Sequence, residues 1–175
     1  SGDVAFIGDS VRAGVEFAID EINAAGGVNG AMIEVIYEDS GCDATMGANA
    51  ANKLVNVDNV TAIIGATCSP ATLAAAPIVE DAQVPLISYS STAPTITDAG
   101  DFIFRDVPSD SFQATFAADY IYNTLGYENV AVMYCLNDWC DGNHLGFVNA
   151  FPGTIVAEEA HEEGSTDLRA QVTNV

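Results

Sequence analysis

The chain has 175 residues, 49% hydrophobic and 17% charged, which is enough apolar material for a packed core and too much for a disordered polymer. Its 25 Asp and Glu face four basic residues, Arg12, Lys53, Arg105 and Arg169, for a formal net charge of -21. Such a surface repels phosphate and excludes nucleic acid and anionic membrane as partners, while a halophilic or marine source accounts for the excess of solvated carboxylates.

The opening SGDVAFIGDS has no basic n-region and no apolar run reaches the roughly 18 residues of a membrane span, so neither a signal peptide nor a span is expected. Apolar residues at Val11, Val15, Ala18, Ile19 and Ile22 recur at helical spacing, predicting a helix over 11–25 capped by Ser10 and ended by Gly26-Gly27. MIEVIYED (32–39) reads as a strand, then Thr45 to Val57 as a helix and Thr61 to Thr67 as a buried strand. Pro70 to Asp81 is the next helix, with proline in its first turn, and Pro85 to Ser91 and FIFRD (102–106) are strands. Ser109 to Thr124 is a helix that leads through Gly126 into the strand VAVMYC. A helix around Asp141 to Phe151, the strand TIVAEEAH and the helical start TDLRAQVTNV complete the order. Strands alternating with helices predict an α/β fold, a Rossmann-like doubly wound parallel sheet covered on both faces. A boundary at 124–128 divides residues 1–123 from 129–175, and the second series is too short to bury both faces of its sheet.

Chemistry is sought first in Phe6-Ile7-Gly8-Asp9-Ser10, which resembles the first block of the SGNH hydrolases, with Ser10 as nucleophile. Asn137-Asp138 and Asp141-x-x-His144 are similar to that family's later blocks, but they fall within eight residues of each other, and Cys135 stands where a glycine is expected. An EF-hand reading of Asn137, Asp141 and Gly142 fails because Trp139 and Val148 occupy ligand positions. His144 and His161 lie outside zinc-ligand spacing with the four cysteines, so no metal or cofactor is expected, and disulfides imply export. Gly65-Ala66-Thr67-Cys68-Ser69-Pro70 runs from a strand into a helix N-terminus, whose free N–H groups and small polar side chains suit a carboxylate. Pro85 to Ser91 ends in Ser88-Tyr89-Ser90-Ser91-Thr92-Ala93-Pro94. Hydroxyl clusters at neighbouring parallel strand ends form the rim where open α/β sheets hold small ligands.

The succession EINAAGGVNG (21–30), EDSGCD (38–43), ANKLVN (51–56), AIIGATCS (62–69), VPLISYSSTAP (84–94) and FRD (104–106) resembles the type I periplasmic binding proteins, nearest to the branched-chain amino-acid-binding proteins of ABC transporters. The resemblance implies two Rossmann-like lobes that close on a ligand, present here incompletely: lobe one without its first strand and return, a hinge crossing at 124–128, and the start of lobe two. It assigns Ser69 to the ligand carboxylate, Ser91 and Thr92 to the carboxylate and ammonium, and Trp139 and Ile7 to the walls. The acidic partner usual for the ammonium falls beyond residue 175. Cys42 and Cys68 align with the family's lobe-one disulfide. Cys135 and Cys140 have no family counterpart, and a local bridge between them would fix Trp139. The implied function is non-enzymatic: extracellular or periplasmic capture of an aliphatic amino acid or related amide, with membrane tethering of the whole protein and an ABC permease as partner. A sensory or surface-structural module that reuses the fold is the alternative.

Overall fold

A computed structural model describes Ser1 and residues 4–175. Helix α1 (Ala5–Ala24) is followed by α2 (Ala44–Asn56), strand β1 (Ile63–Ile64), α3 (Ser69–Asp81), β2 (Leu86–Ser88), a short 3-10 helix (Pro94–Asp98) and β3 (Ile103–Arg105). Then come α4 (Asp110–Asp119) with a π-turn at Tyr120–Thr124, β4 (Asn129–Leu136), α5 (Asp138–Ala150), β5 (Thr154–Glu162) and α6 (Arg169–Asn174). Strands β1, β2 and β3 form one parallel sheet in that order, and β4 and β5 form a second parallel pair.

The first core sits between α3 and its sheet, where Val79, Leu86, Ile96 and Ile103 pack with Ala51 and Val55 from α2. Helix α2 comes close to α3 because Gly47 faces the Ala71 backbone, where an added Cβ would lie 2.8 Å from Ala71 Cα and O. Asp43 caps α2 by accepting from Met46 N, and the Cys42–Cys68 disulfide ties that cap to the start of α3, with Cα atoms 5.1 Å apart. The second unit is built on β4 and β5. Helix α4 packs on α5, with Ala114 against Gly146, and its C-terminal turn sets Tyr122 edge-on to Phe151. The 124–128 stretch therefore leads from α4 into β4 within one packing unit, and β3 to α4 is the passage between the two sheets.

Three expectations change. Ser10 does not cap: α1 already begins at Ala5, and the Ser10 hydroxyl donates to Phe6 O, the back-bond a serine makes inside a helix. The predicted strand at 32–39 forms no ladder, since a strand exists only by backbone pairing and no described strand lies beside it; the Asn23 amide instead takes both the N–H and the C=O of Ile33. Nor is the first sheet covered on both faces. Ile64, Ile87 and Phe104, in register across it, are 60%, 44% and 49% exposed. Helix α1, which carries the apolar stripe to match, has no buried residue and leaves Phe17 66% exposed.

Candidate functional site

The site is built where β1 and β2 end. The Ser88 hydroxyl, at the last residue of β2, donates to Ala66 O (2.7 Å) and accepts from Ser91 N (3.0 Å), so the two strand ends are knotted together. Thr72, on the first turn of α3, adds a second knot: its hydroxyl lies 2.8 Å from that of Ser91 and accepts from Ala66 N. Ser88, Ser91 and Thr72 are buried, so these hydroxyls are satisfied only by one another and by backbone, as buried polar groups must be.

Ser69 is the first residue of α3 and is buried. Its Oγ accepts from Ala93 N at 3.2 Å, which leaves the hydroxyl proton to donate. The first N–H groups of a helix have no intrahelical partner, and with Pro70 lacking one the local donors are those of Ser69 and Ala71. Ser91 is different: its N–H and hydroxyl are both engaged within the protein, so its side chain orders the rim. Thr92 is half-buried, and among the described residues no hydrogen bond engages its hydroxyl. Its carbonyl accepts from Arg105 Nη1 (3.2 Å) and from Asp110 N (3.0 Å), which joins the rim to α4.

The second unit meets this rim through α5, where an added Cβ at Gly142 would lie 2.6 Å from Pro94 Cδ. Asn137 caps α5 by accepting from Cys140 N, and the Cys135–Cys140 disulfide binds the end of β4 to the first turn, with Cα atoms 5.5 Å apart. Trp139 lies between those cysteines and lines a cavity of about 370 Å³ with Ala114, Tyr134 and His144, a lining that includes none of Ser69, Ser91 and Thr92. Ile7 sits in the first turns of α1, which packs extensively on no other helix or strand among the described residues. Ser69, Ser91 and Thr92 are thus brought together at one rim, whereas among the described residues no hydrogen bond or shared cavity joins Trp139 or Ile7 to them. Sequence reading did not single out the buried residues Thr72 and Asp110, and it named Ser88 in the hydroxyl cluster without its internal role. Each carries the ordinary signature of a cap or strand end, and only burial sets it apart.

The hydrolase and metal readings find no geometry. The Ser10 hydroxyl is spent on its own helix, while His144 Nε2 lies 2.6 Å from Glu158 Oε2 and its ring stacks on Tyr134. Among the described residues no group of three or more His, Cys, Asp or Glu side chains is placed to hold a metal ion.

Two parallel sheets joined beside a rim of hydroxyls and a helix N-terminus give an α/β architecture whose strand ends form a candidate ligand-binding rim. The chain belongs to the periplasmic binding protein family, which it matches over residues 1–175. It is 40% identical over 143 residues to the leucine-, isoleucine-, valine-, threonine- and alanine-binding protein of Pseudomonas aeruginosa, covering 81% of this chain and 38% of that protein. The Leu/Ile/Val-binding protein of Escherichia coli K12 is 35% identical over 143 residues, covering 81% and 39%. Among solved structures, the branched-chain amino acid transporter substrate binding protein LivJ of Streptococcus pneumoniae, in complex with isoleucine, superposes with a TM-score of 0.86 at 35% identity, over 99% of this chain and 50% of that one. A Desulfitobacterium hafniense ABC transporter substrate-binding protein in complex with Leu gives 0.73 at 28% identity, over 90% and 47%. The chain therefore spans about two fifths of the curated relatives' length and half that of the solved ones. The fold is that of the type I periplasmic binding proteins, mixed α/β with parallel sheets.

Proposed function

We propose that this chain is the ligand-capturing part of an exported solute-binding protein that takes up a small zwitterion, an aliphatic amino acid or a related amide, and delivers it to an ABC permease. The whole protein acts as a receptor without chemistry on its ligand, tethered at the membrane face; no helix among the described residues is long and apolar enough to cross a membrane. The reading is supported above all by the convergence of the α3 N-terminus, Ser69 and Thr92 at one rim, a set of donors matched to a carboxylate. It is supported also by relatives whose names specify leucine, isoleucine and valine.

In this reading the preformed donors on the first sheet take the carboxylate, and the unit carrying α4 and α5 closes over the side chain. Ligand binding shifts an open–closed equilibrium by its extra contacts in the closed state. The passage between β3 and α4, at 106–109, is the proposed first crossing between the lobes, because α4 packs with α5 rather than with α2 or α3. Ser69 and Thr92 are the proposed carboxylate ligands, with Ser91 holding the rim in shape. Trp139 is proposed as a wall that the closing lobe brings to the ligand, and Ile7 as a flank carried on α1.

An amide NMR titration of the chain in high salt against leucine, isoleucine, valine and a set of polar amino acids tests the reading. Shifts at Ser69, Ser91 and Thr92 with the aliphatic members are expected. A well-dispersed spectrum in which no amino acid moves them overturns it.

A further inference from the structure

We infer that Asn59 is an N-glycosylation site, the acceptor for an oligosaccharide on the exported protein, an inference that rests on the export proposed above. Asn59-Val60-Thr61 has the Asn-x-Ser/Thr pattern with a residue other than proline in the middle, and no other asparagine in the chain is followed by serine or threonine two places on. Such a triplet serves a transferase only where the chain presents it on a surface loop, and the fold does so here. Asn59, Val60 and Thr61 belong to no helix or strand, and Asn59 and Thr61 are both exposed.

The turn between α2 and β1 is held without the side chains of the triplet. The Val57 and Asp58 N–H groups both donate to Lys53 O, and the Val60 N–H donates to Leu54 O, so the helix end itself fixes the backbone. Asn59 takes φ 53°, the left-handed region that asparagine enters more readily than other side chains. Its Nδ2 donates one hydrogen to Val57 O at 3.0 Å and keeps the second. Among the described residues no hydrogen bond engages the Thr61 hydroxyl. A left-handed helix end accounts for an asparagine at 59 but asks nothing of position 61, where an exposed, unengaged hydroxyl completes the recognition pattern.

The place of the turn suits a bulky group. Strands β1, β2 and β3 are parallel, and the rim is built where β1 and β2 end, at Ala66 and Ser88, whereas this turn feeds the start of β1. Asn59 therefore lies at the opposite end of the sheet, and a hydrated oligosaccharide there leaves the path to the rim open. It also lies over Val57, which is 69% exposed and whose carbonyl holds the Asn59 amide. The co-reactant is an oligosaccharide joined through phosphate to a polyprenyl lipid, and the catalyst is a membrane-bound oligosaccharyltransferase. The bond from Asn59 Nδ2 to the anomeric carbon forms as the bond from that carbon to the phosphate oxygen breaks. The lipid phosphate leaves with the electron pair, Nδ2 gives up one proton, and nothing is oxidised or reduced.

The test is mass-spectrometric peptide mapping of the protein isolated from its own host, after the cells are separated into cytoplasm, envelope and medium. Reduction and cleavage before aspartate release residues 58–80 as one peptide. We expect that peptide to carry the mass of an oligosaccharide in the wild type and in Thr61→Ser, and to be bare in Asn59→Gln and Thr61→Ala. Thr61→Ala keeps Asn59 and its turn, so it answers the question even where Asn59→Gln does not fold. A bare wild-type peptide from exported protein, or a glycan that persists in Thr61→Ala, overturns the site and leaves the binding-protein reading standing. Protein confined to the cytoplasm overturns export and the site with it.

Discussion

Ser69 carries two duties at one oxygen. It accepts from Ala93 N, a buried donor with no other partner in reach, and it offers its proton at the α3 N-terminus. Replacing it with alanine strands the Ala93 N–H, so Ser69→Ala is expected to destabilise the chain by about 1–3 kcal/mol in urea unfolding, before any effect on ligand. Thr92→Val removes a hydroxyl with no internal partner and leaves the Thr92 carbonyl in place, so its loss falls on binding with stability nearly unchanged. The contrast shows how far residue roles are legible in a sequence. The Ser-rich end of β2 announces a polar rim, but the same Ser and Thr letters stand for a hydroxyl left unengaged, the proposed ligand donor, at 92 and for an internal knot at 72, 88 and 91. The difference is burial and pairing across separations of 19 to 25 residues, which no local pattern encodes.

At the scale of elements, period and punctuation place α2, α3 and α4 near their observed spans, set α5 three residues late at Asp141 and give no helix at Pro94–Asp98; the caps Asp43 and Asn137, which act on their own neighbours, go unread. What local pattern leaves open is which elements meet. The 32–39 segment has strand composition yet no ladder, and α1 has an apolar stripe yet no buried residue, since both depend on partners remote in the chain. Helix packing is where small residues decide. Alanine ordinarily stabilises a helix relative to glycine by roughly 0.5–1 kcal/mol, but at Gly142 a Cβ would meet Pro94 Cδ at 2.6 Å, and a proline ring in a tight turn cannot rotate away. Gly142→Ala is therefore expected to cost about 1–3 kcal/mol net and to shift the Thr92 and Asp110 amides as α5 moves off the rim. A gain in stability with those amides unmoved would mean that α5 does not rest on Pro94 in solution.

Across the whole molecule the dominant fact is charge. Three of the four cations form exposed pairs of the kind worth little, and among the described residues Arg105 pairs with no carboxylate, so some twenty carboxylates repel one another without compensation. The Debye length falls from about 10 Å at 0.1 M to about 3 Å at 1 M salt, shorter than most spacings between surface charges, so added salt removes this repulsion from the folded state where the charges are densest. The melting temperature is expected to rise on the order of 10 °C between 0.1 and 2 M KCl, equivalent to about 3 kcal/mol for a chain of this size. The control is sucrose, which strengthens burial without screening charge. A rise with KCl that far exceeds the rise with sucrose identifies repulsion as the cause. Equal rises would mean that charge repulsion is not what limits the stability of the chain.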